Sequence, residues 1–438
     1  MAQYPFSTLS LADVPIVDPV QEDTVITVTE SGTVRRSRVD KFTESLTGPL
    51  GELVEEAEAA AAAAGNKMPA MTFQQLKDLN IDAEFNGVYV EEAGRQGTFV
   101  LDNATSLAVD DGLVIQDTFG NKWVRRYSGP IEVKWYGAKG DNSTDDTTAI
   151  KNAITAANNG EIFFPEGTYI ISSPLPHSCS FLGANSRRTI IKATSGTFTG
   201  GFMIDNNNGA ERQVMRTLTL DASDKSIQHL GSSGDASGTP TVLYEAVYFT
   251  NTAKGTYSIG GSSVGAVAGM LTGATFINCH WRAVGRVANL GQNQDDINFI
   301  GCRFALEKCD STVLDPFVVG VGSNHSFTGC YFYIKDVQSS GAVGRVFRVG
   351  GRLTRFQSNF IESTTNLTTL THLFFLSDPA ANLIIDGLHC NLTAGAMVAL
   401  VRGNVESVSS TYRNVTIRNV SQATNFPTGL YLLDVYVS

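Results

Sequence analysis

Apolar and polar positions alternate in a phrase that keeps returning along the second half of the chain. It reads LTLDAS at 218, VYFTNT at 247, ATFINCHW at 274, INFIGCRF at 297, HSFTGCYF at 325, TRFQSNFI at 354, LIIDGLHC at 383 and VTIRNVS at 415. Apolar residues stand two apart on either side of a small polar pair, as in Phe299-Ile300-Gly301-Cys302-Arg303-Phe304. A period of two predicts strands, and the small pair predicts a sharp corner between two short ones. The central apolar residues (Leu220, Phe249, Phe276, Phe299, Phe327, Phe356, Ile385 and Ile417) follow one another at steps of about 23 to 32 residues, the length of one solenoid turn. Such a repeat covers its apolar face by stacking on its neighbours. Aligned phrases put Cys279, Cys302 and Cys330 at one position, followed by Asn359, Leu388 and Val420, so an inward column is expected there.

The period changes between Val133 and Ser172, in VKWYGAKGDNSTDDTTAIKNAITAANNGEIFFPEGTYIIS. Ile150, Ala153, Ile154 and Ala157 fall on one helical face, and Asp145 and Asp146 place negative charge in the first turn, where Thr144 or a neighbour can cap free N–H groups. A short helix with one apolar side is a lid for the open end of a strand stack, whose unpaired backbone would otherwise recruit other chains. Upstream, TVITVTESGTVRRSRVDKF holds two alternating stretches around Glu30-Ser31-Gly32 and predicts a hairpin. The run GPLGELVEEAEAAAAAAGNK has high helix propensity and a thin apolar face, which suits either a semi-rigid linker or a stem of three copies side by side. Short strands with Gly turns, and a helix near Gln74 to Leu79, predict a small β module from 68 to about 130.

Composition narrows the class. With 42% hydrophobic residues in 438, the chain can bury a large core, and 17% charged residues with 42 glycines favour β structure with many turns. The net charge of −11 argues against a nucleic-acid partner. Neither a signal-type leader nor a membrane-length apolar run stands in the sequence, which predicts synthesis in a bacterial cytosol and release by a route other than secretion. Six cysteines without a CxxC pair read as reduced, buried thiols, and neither a metal nor another cofactor is expected.

The stretch from Val133 to Ser172 resembles the opening segment of pectate-lyase-like right-handed parallel β-helices, in the version common in bacteriophage tailspikes and capsule depolymerases. GRQGTFVLDN, GNKWVRRY and VKWYGAKGD are similar to the neck modules that precede such β-helices. The resemblance implies a mainly β chain with four parts: a virion-attachment segment at 1–45, a helical stem or linker at 46–67, a β neck at 68–132 and the capped β-helix at 133–438. It implies a homotrimer in the virion tail, joined through its N-terminal segment to a tail or baseplate protein and meeting host capsule or lipopolysaccharide O-chain, with no membrane insertion. Cleavage of that glycan by hydrolysis or elimination is one expectation; a receptor-binding or structural tail protein without catalysis is the other.

Two groups of residues are candidates for the chemistry. Asp295, Asp296, Glu307, Asp310 and Asp315 border one phrase, and glycoside hydrolysis needs two carboxyl groups roughly 5 to 9.5 Å apart. On the outward side of the second strand, alternation selects Arg303, Tyr331, Tyr333, Lys335 and Glu362, with His280, Arg282, Phe360, His389 and Asn391 beside them. That stripe can hold a sugar chain, with rings stacking on Tyr331 and Tyr333, or it can be buried against a sister chain.

Overall fold

The computed structural model describes residues 24–28, 34–38, 68–80, 85–206, 213–231, 242–253, 255–260, 273–290, 295–307, 317–319, 324–334, 345–350, 352–363, 372–378, 381–392, 399–403, 414–422 and 432–433. The helical stem expected within 46–67 lies outside them, as do Cys309, Asp310, Asp315 and Lys335. The chain divides into two compact units, 1–70 with 81–88 and 71–80 with 89–438. In the first, Thr24–Val28 and Val34–Arg38 form the expected antiparallel hairpin.

The second unit is built on three parallel sheets. The first runs from Ile131–Glu132 to Asn414–Arg418 and the second from Asp141–Asp145 to Ser421–Gln422, with 11 strands each; the third, of 10, runs from Leu175–Pro176 to Leu432–Leu433. One strand from each makes a rung, and every rung is paired in parallel with the next: a parallel β-helix. Rungs vary in length, from 19 residues between the paired Ile162 and Phe181 to 34 between Phe181 and Met215, because loops absorb the difference.

The corner between the first and second sheets has a simple cause. Thr217, Ala246, Asn278, Gly301, Gly329, Ser358, Gly387 and Asn419 all take left-handed φ between 52° and 74°, and the chain turns sharply at each. Glycine and asparagine adopt this conformation most readily, so five of these eight corners are marked in the sequence. The next residue points inward, and Cys279, Cys302 and Cys330 form the expected buried column. Each thiol donates to a carbonyl of the preceding rung, Cys302 to Phe276 at 3.3 Å and Cys330 to Phe299 at 3.3 Å. Asn359 continues the column, accepting from the Cys330 N–H at 2.8 Å and donating to the Phe327 carbonyl at 2.9 Å.

The structure corrects the start of the phrase alignment. Leu220 and Phe249 belong to the second sheet, where Phe249 pairs with Trp281; the partners that precede Phe276 in the first sheet are Tyr244 and Met215. Thr217 and Ala246 turn the chain ahead of those two phrases, and neither announces a corner in the sequence.

The helix Thr147–Ala157 closes the open end, with Ile150, Ala153 and Ile154 buried in the same core as the first rungs and Ala157 half-buried against it. The acidic residues lie just before the helix, not in its first turn. Asp145 Oδ1 accepts from the Thr147 N–H at 3.0 Å, while the Asp146 carboxylate takes the Lys139 and Gly140 N–H groups at 2.6 and 3.0 Å and holds the Gly-rich turn shut. The Thr144 hydroxyl donates to Asp141 and caps nothing.

Ahead of the cap, Gly97–Leu101, Val114–Gln116 and Lys122–Arg125 form an antiparallel group, preceded by the short helix Phe73–Lys77 with a Thr72/Gln75 capping box. Arg125 joins this module to the first rungs: its guanidinium lies 4.5 Å from the Phe99 ring centre and 4.6 Å from that of Trp135. Burial lowers its pKa to about 10.

Candidate functional site

Period-two alternation sends every second residue of the second sheet to the outside, and parallel pairing lines these up from rung to rung. One outward column reads Tyr248, His280, Arg303, Tyr331, Phe360, His389 and Ser421. Its neighbour reads Thr250, Arg282, Ala305, Tyr333, Glu362 and Asn391. The described members of the predicted binding stripe, Arg303, Tyr331, Tyr333 and Glu362, therefore stand together on consecutive rungs.

The first column is stacked from Tyr331 to His389. Tyr331 and Phe360 are 5.5 Å apart and within 4° of parallel, and Phe360 and His389 are 4.8 Å apart at 18°. The Arg303 guanidinium lies 5.2 Å from the Tyr331 ring centre, on the side of the preceding rung. Both faces of Tyr331 thus meet its ladder neighbours. Its hydroxyl donates to Glu362; burial and this bond raise the phenol pKa to about 12, so Tyr331 stays protonated at neutral pH. His280 is held neutral more firmly than a free imidazole, first by burial and then by Arg303, Arg187 and Arg282.

The second column contains a gap. Around Ala305 a cleft of about 240 Å³ opens, lined by His280, Arg282, Arg303, Phe304, Ala305, Glu307, Tyr331 and Tyr333. Glu307 closes one side, with its Oε2 3.6 Å from Arg282 Nε. Sequence reasoning passed over Ala305, since a lone alanine says nothing until the register places it between Arg282 and Tyr333.

The acidic candidates divide between two places. Glu307 follows the second-sheet strand Arg303–Leu306 and lines the cleft. Asp295 and Asp296 precede the first-sheet strand Asn298–Ile300, where their charge reaches the imidazole of His325 on the next rung. Two strands, each about 10 Å or longer, lie between these positions along the chain. His325 is fully buried, and neither ring nitrogen has a hydrogen-bond partner among the described residues.

Residues 131–231 match the family model described as rhamnogalacturonase A/epimerase, pectate lyase-like. Over 100 residues the chain is 34% identical to the pre-neck appendage protein of Bacillus phage phi29, a match covering 22% of this chain and 12% of that protein. Among solved structures, the enzymatically active domain of tailspike protein 4 from bacteriophage CBA120 superposes with a TM-score of 0.54 at 16% identity, over 92% of this chain and 55% of that one. A tailspike protein from Acinetobacter baumannii bacteriophage Fri1, a capsular polysaccharide depolymerase, gives 0.52 at 13% identity, over 85% of this chain and 69% of that one. The chain thus spans about half of the CBA120 domain and matches about an eighth of the phi29 protein. A pectate-lyase-like opening segment leads here into a parallel β-helix, and the fold that results is that of the phage tailspikes.

Proposed function

We propose that this chain is a bacteriophage tail protein of the tailspike kind, which binds a host surface polysaccharide, capsule or O-chain, along the outward face of its second sheet. The observation that carries this reading is the cleft over Ala305, where arginine, tyrosine and glutamate side chains from three consecutive rungs converge on the outward face. Polar, hydrogen-bonding groups set beside aromatic edges are what a hydrated polymer of sugars requires. The phi29 appendage relative and the two tailspike folds support the virion setting. A homotrimer, anchored to the tail through the N-terminal segment, completes the proposal, with the segments 1–45, 46–67, 68–132 and 133–438 as its working parts.

Incubation of the purified protein with bacterial surface polysaccharide tests this reading. Retention of the glycan supports it. New reducing ends without absorbance near 235 nm would add hydrolysis, in which Glu307, Asp295, Asp296, Asp310 and Asp315 are the carboxyl groups to replace; absorbance there would add elimination. Binding without either product identifies a receptor-binding protein. A protein that retains none of a broad panel of capsules and O-chains is not the spike proposed.

A further inference from the structure

We propose that the cleft over Ala305 is a subsite for one carboxylate-bearing sugar residue, which rests on the alanine between Arg282 and Tyr333 and gives its carboxylate to Arg303. This rests on the binding role proposed above and specifies what is bound and where.

The shape comes from the ladder. Arg282, Ala305 and Tyr333 occupy one outward column on three successive rungs. Adjacent strands lie about 4.8 Å apart, so the first and last are separated by roughly 9.6 Å, with only a methyl group between them. Elsewhere the neighbouring column closes such spaces by stacking ring on ring, as Tyr331, Phe360 and His389 do. A notch of about 240 Å³ falls just under the range of pockets that enclose drug-sized ligands, which suits one ring of a polymer and not several.

The charge comes from the walls. Arg282 and Arg303 enter the cleft against one carboxylate, Glu307, which already lies 3.6 Å from Arg282. Arg303 makes a cation–π contact with Tyr331 and, among the described residues, no ion pair, so its planar fork is held in place without an anion of its own. Guanidinium groups bind carboxylates through two parallel N–H···O bonds, and an arginine fixed on an aromatic face loses little freedom in doing so. The whole chain carries a net charge of −11, so a local excess of cation selects the anionic residue of a glycan and not the polymer by general attraction.

The test uses the full chain on an array of bacterial surface polysaccharides, each printed native and after chemical reduction of its carboxyl groups to alcohols. The variants are Arg303→Gln and Ala305→Leu, which fills the notch; melting temperature and sedimentation confirm that each is folded like the parent. The expected result is retention of acidic polysaccharides by the parent, at least tenfold weaker after carboxyl reduction, after Arg303→Gln and after Ala305→Leu. Equal retention of native and reduced polymers, or full retention by the folded Ala305→Leu chain, overturns the subsite and leaves glycan binding standing. Retention of no glycan by the parent overturns both.

Discussion

The second sheet presents two faces of the same strands, and they obey different rules. Inward, Phe249, Trp281, Phe304 and Phe332 stack at 4.6, 4.8 and 4.8 Å without a break, matched by Phe276, Phe299, Phe327 and Phe356 across the core. Outward, the column one residue away drops from Arg282 to Ala305 and returns to Tyr333. An alanine in the inner stack would leave a void that neighbours cannot fill, whereas outside the same omission costs nothing because water enters. The gap in the outer ladder is therefore free to serve binding, and the uniformity of the inner one is a requirement of the fold.

The largest effect expected of a single substitution from this contrast is that of Phe304→Ala, directly behind the cleft. Losing a ring from the unbroken stack costs about 3 to 5 kcal/mol, read as a lower denaturation midpoint; a change below about 1 kcal/mol would show that the core does not depend on continuity. Next comes acid. His177, His229 and His325 are buried, and burial takes each pKa down from 6.5 to about 4. Folded, they stay neutral while the unfolded chain takes up protons, so their contribution is complete above pH 6.5 and is lost as pH falls toward 4. The loss is on the order of 3 kcal/mol for each. Stability measured at pH 7 and pH 5 should differ clearly, and a flat profile across that window would mean that the core admits the charged imidazoles. The smallest effect is expected outside: Phe360→Ala, which breaks the outer stack, should cost no more than about 1.5 kcal/mol. Were it to match Phe304→Ala, the two faces would be equivalent and the contrast would fail.

Much of the fold was legible from residue types. The cysteine column, the capping face of Ile150, Ala153 and Ile154, and the N-terminal hairpin all follow from period and turn chemistry. Corners marked by Gly301, Gly329, Gly387, Asn278 and Asn419 were readable because left-handed backbone favours those residues. At Thr217 and Ala246 the same conformation is imposed by the pairing of rungs on either side, and the phrases that follow them were placed in the wrong sheet. In the proposed binding stripe, alternation alone selected Arg303, Tyr331, Tyr333 and Glu362, since outward residues on successive rungs must be neighbours. It did not reveal that Tyr331 is covered on both faces, or that Glu307 lines the cleft while Asp295 and Asp296 stand near His325.

By itself, the sequence determined that this chain coils into stacked rungs beneath a helical lid, because period, corner and cap are local properties that each segment carries with it. The tertiary structure alone decided which residues meet between rungs. Loops make the turns from 19 to 34 residues long, so the register that sets Ala305 between Arg282 and Tyr333 is fixed by backbone pairing across the stack and not by distance along the chain.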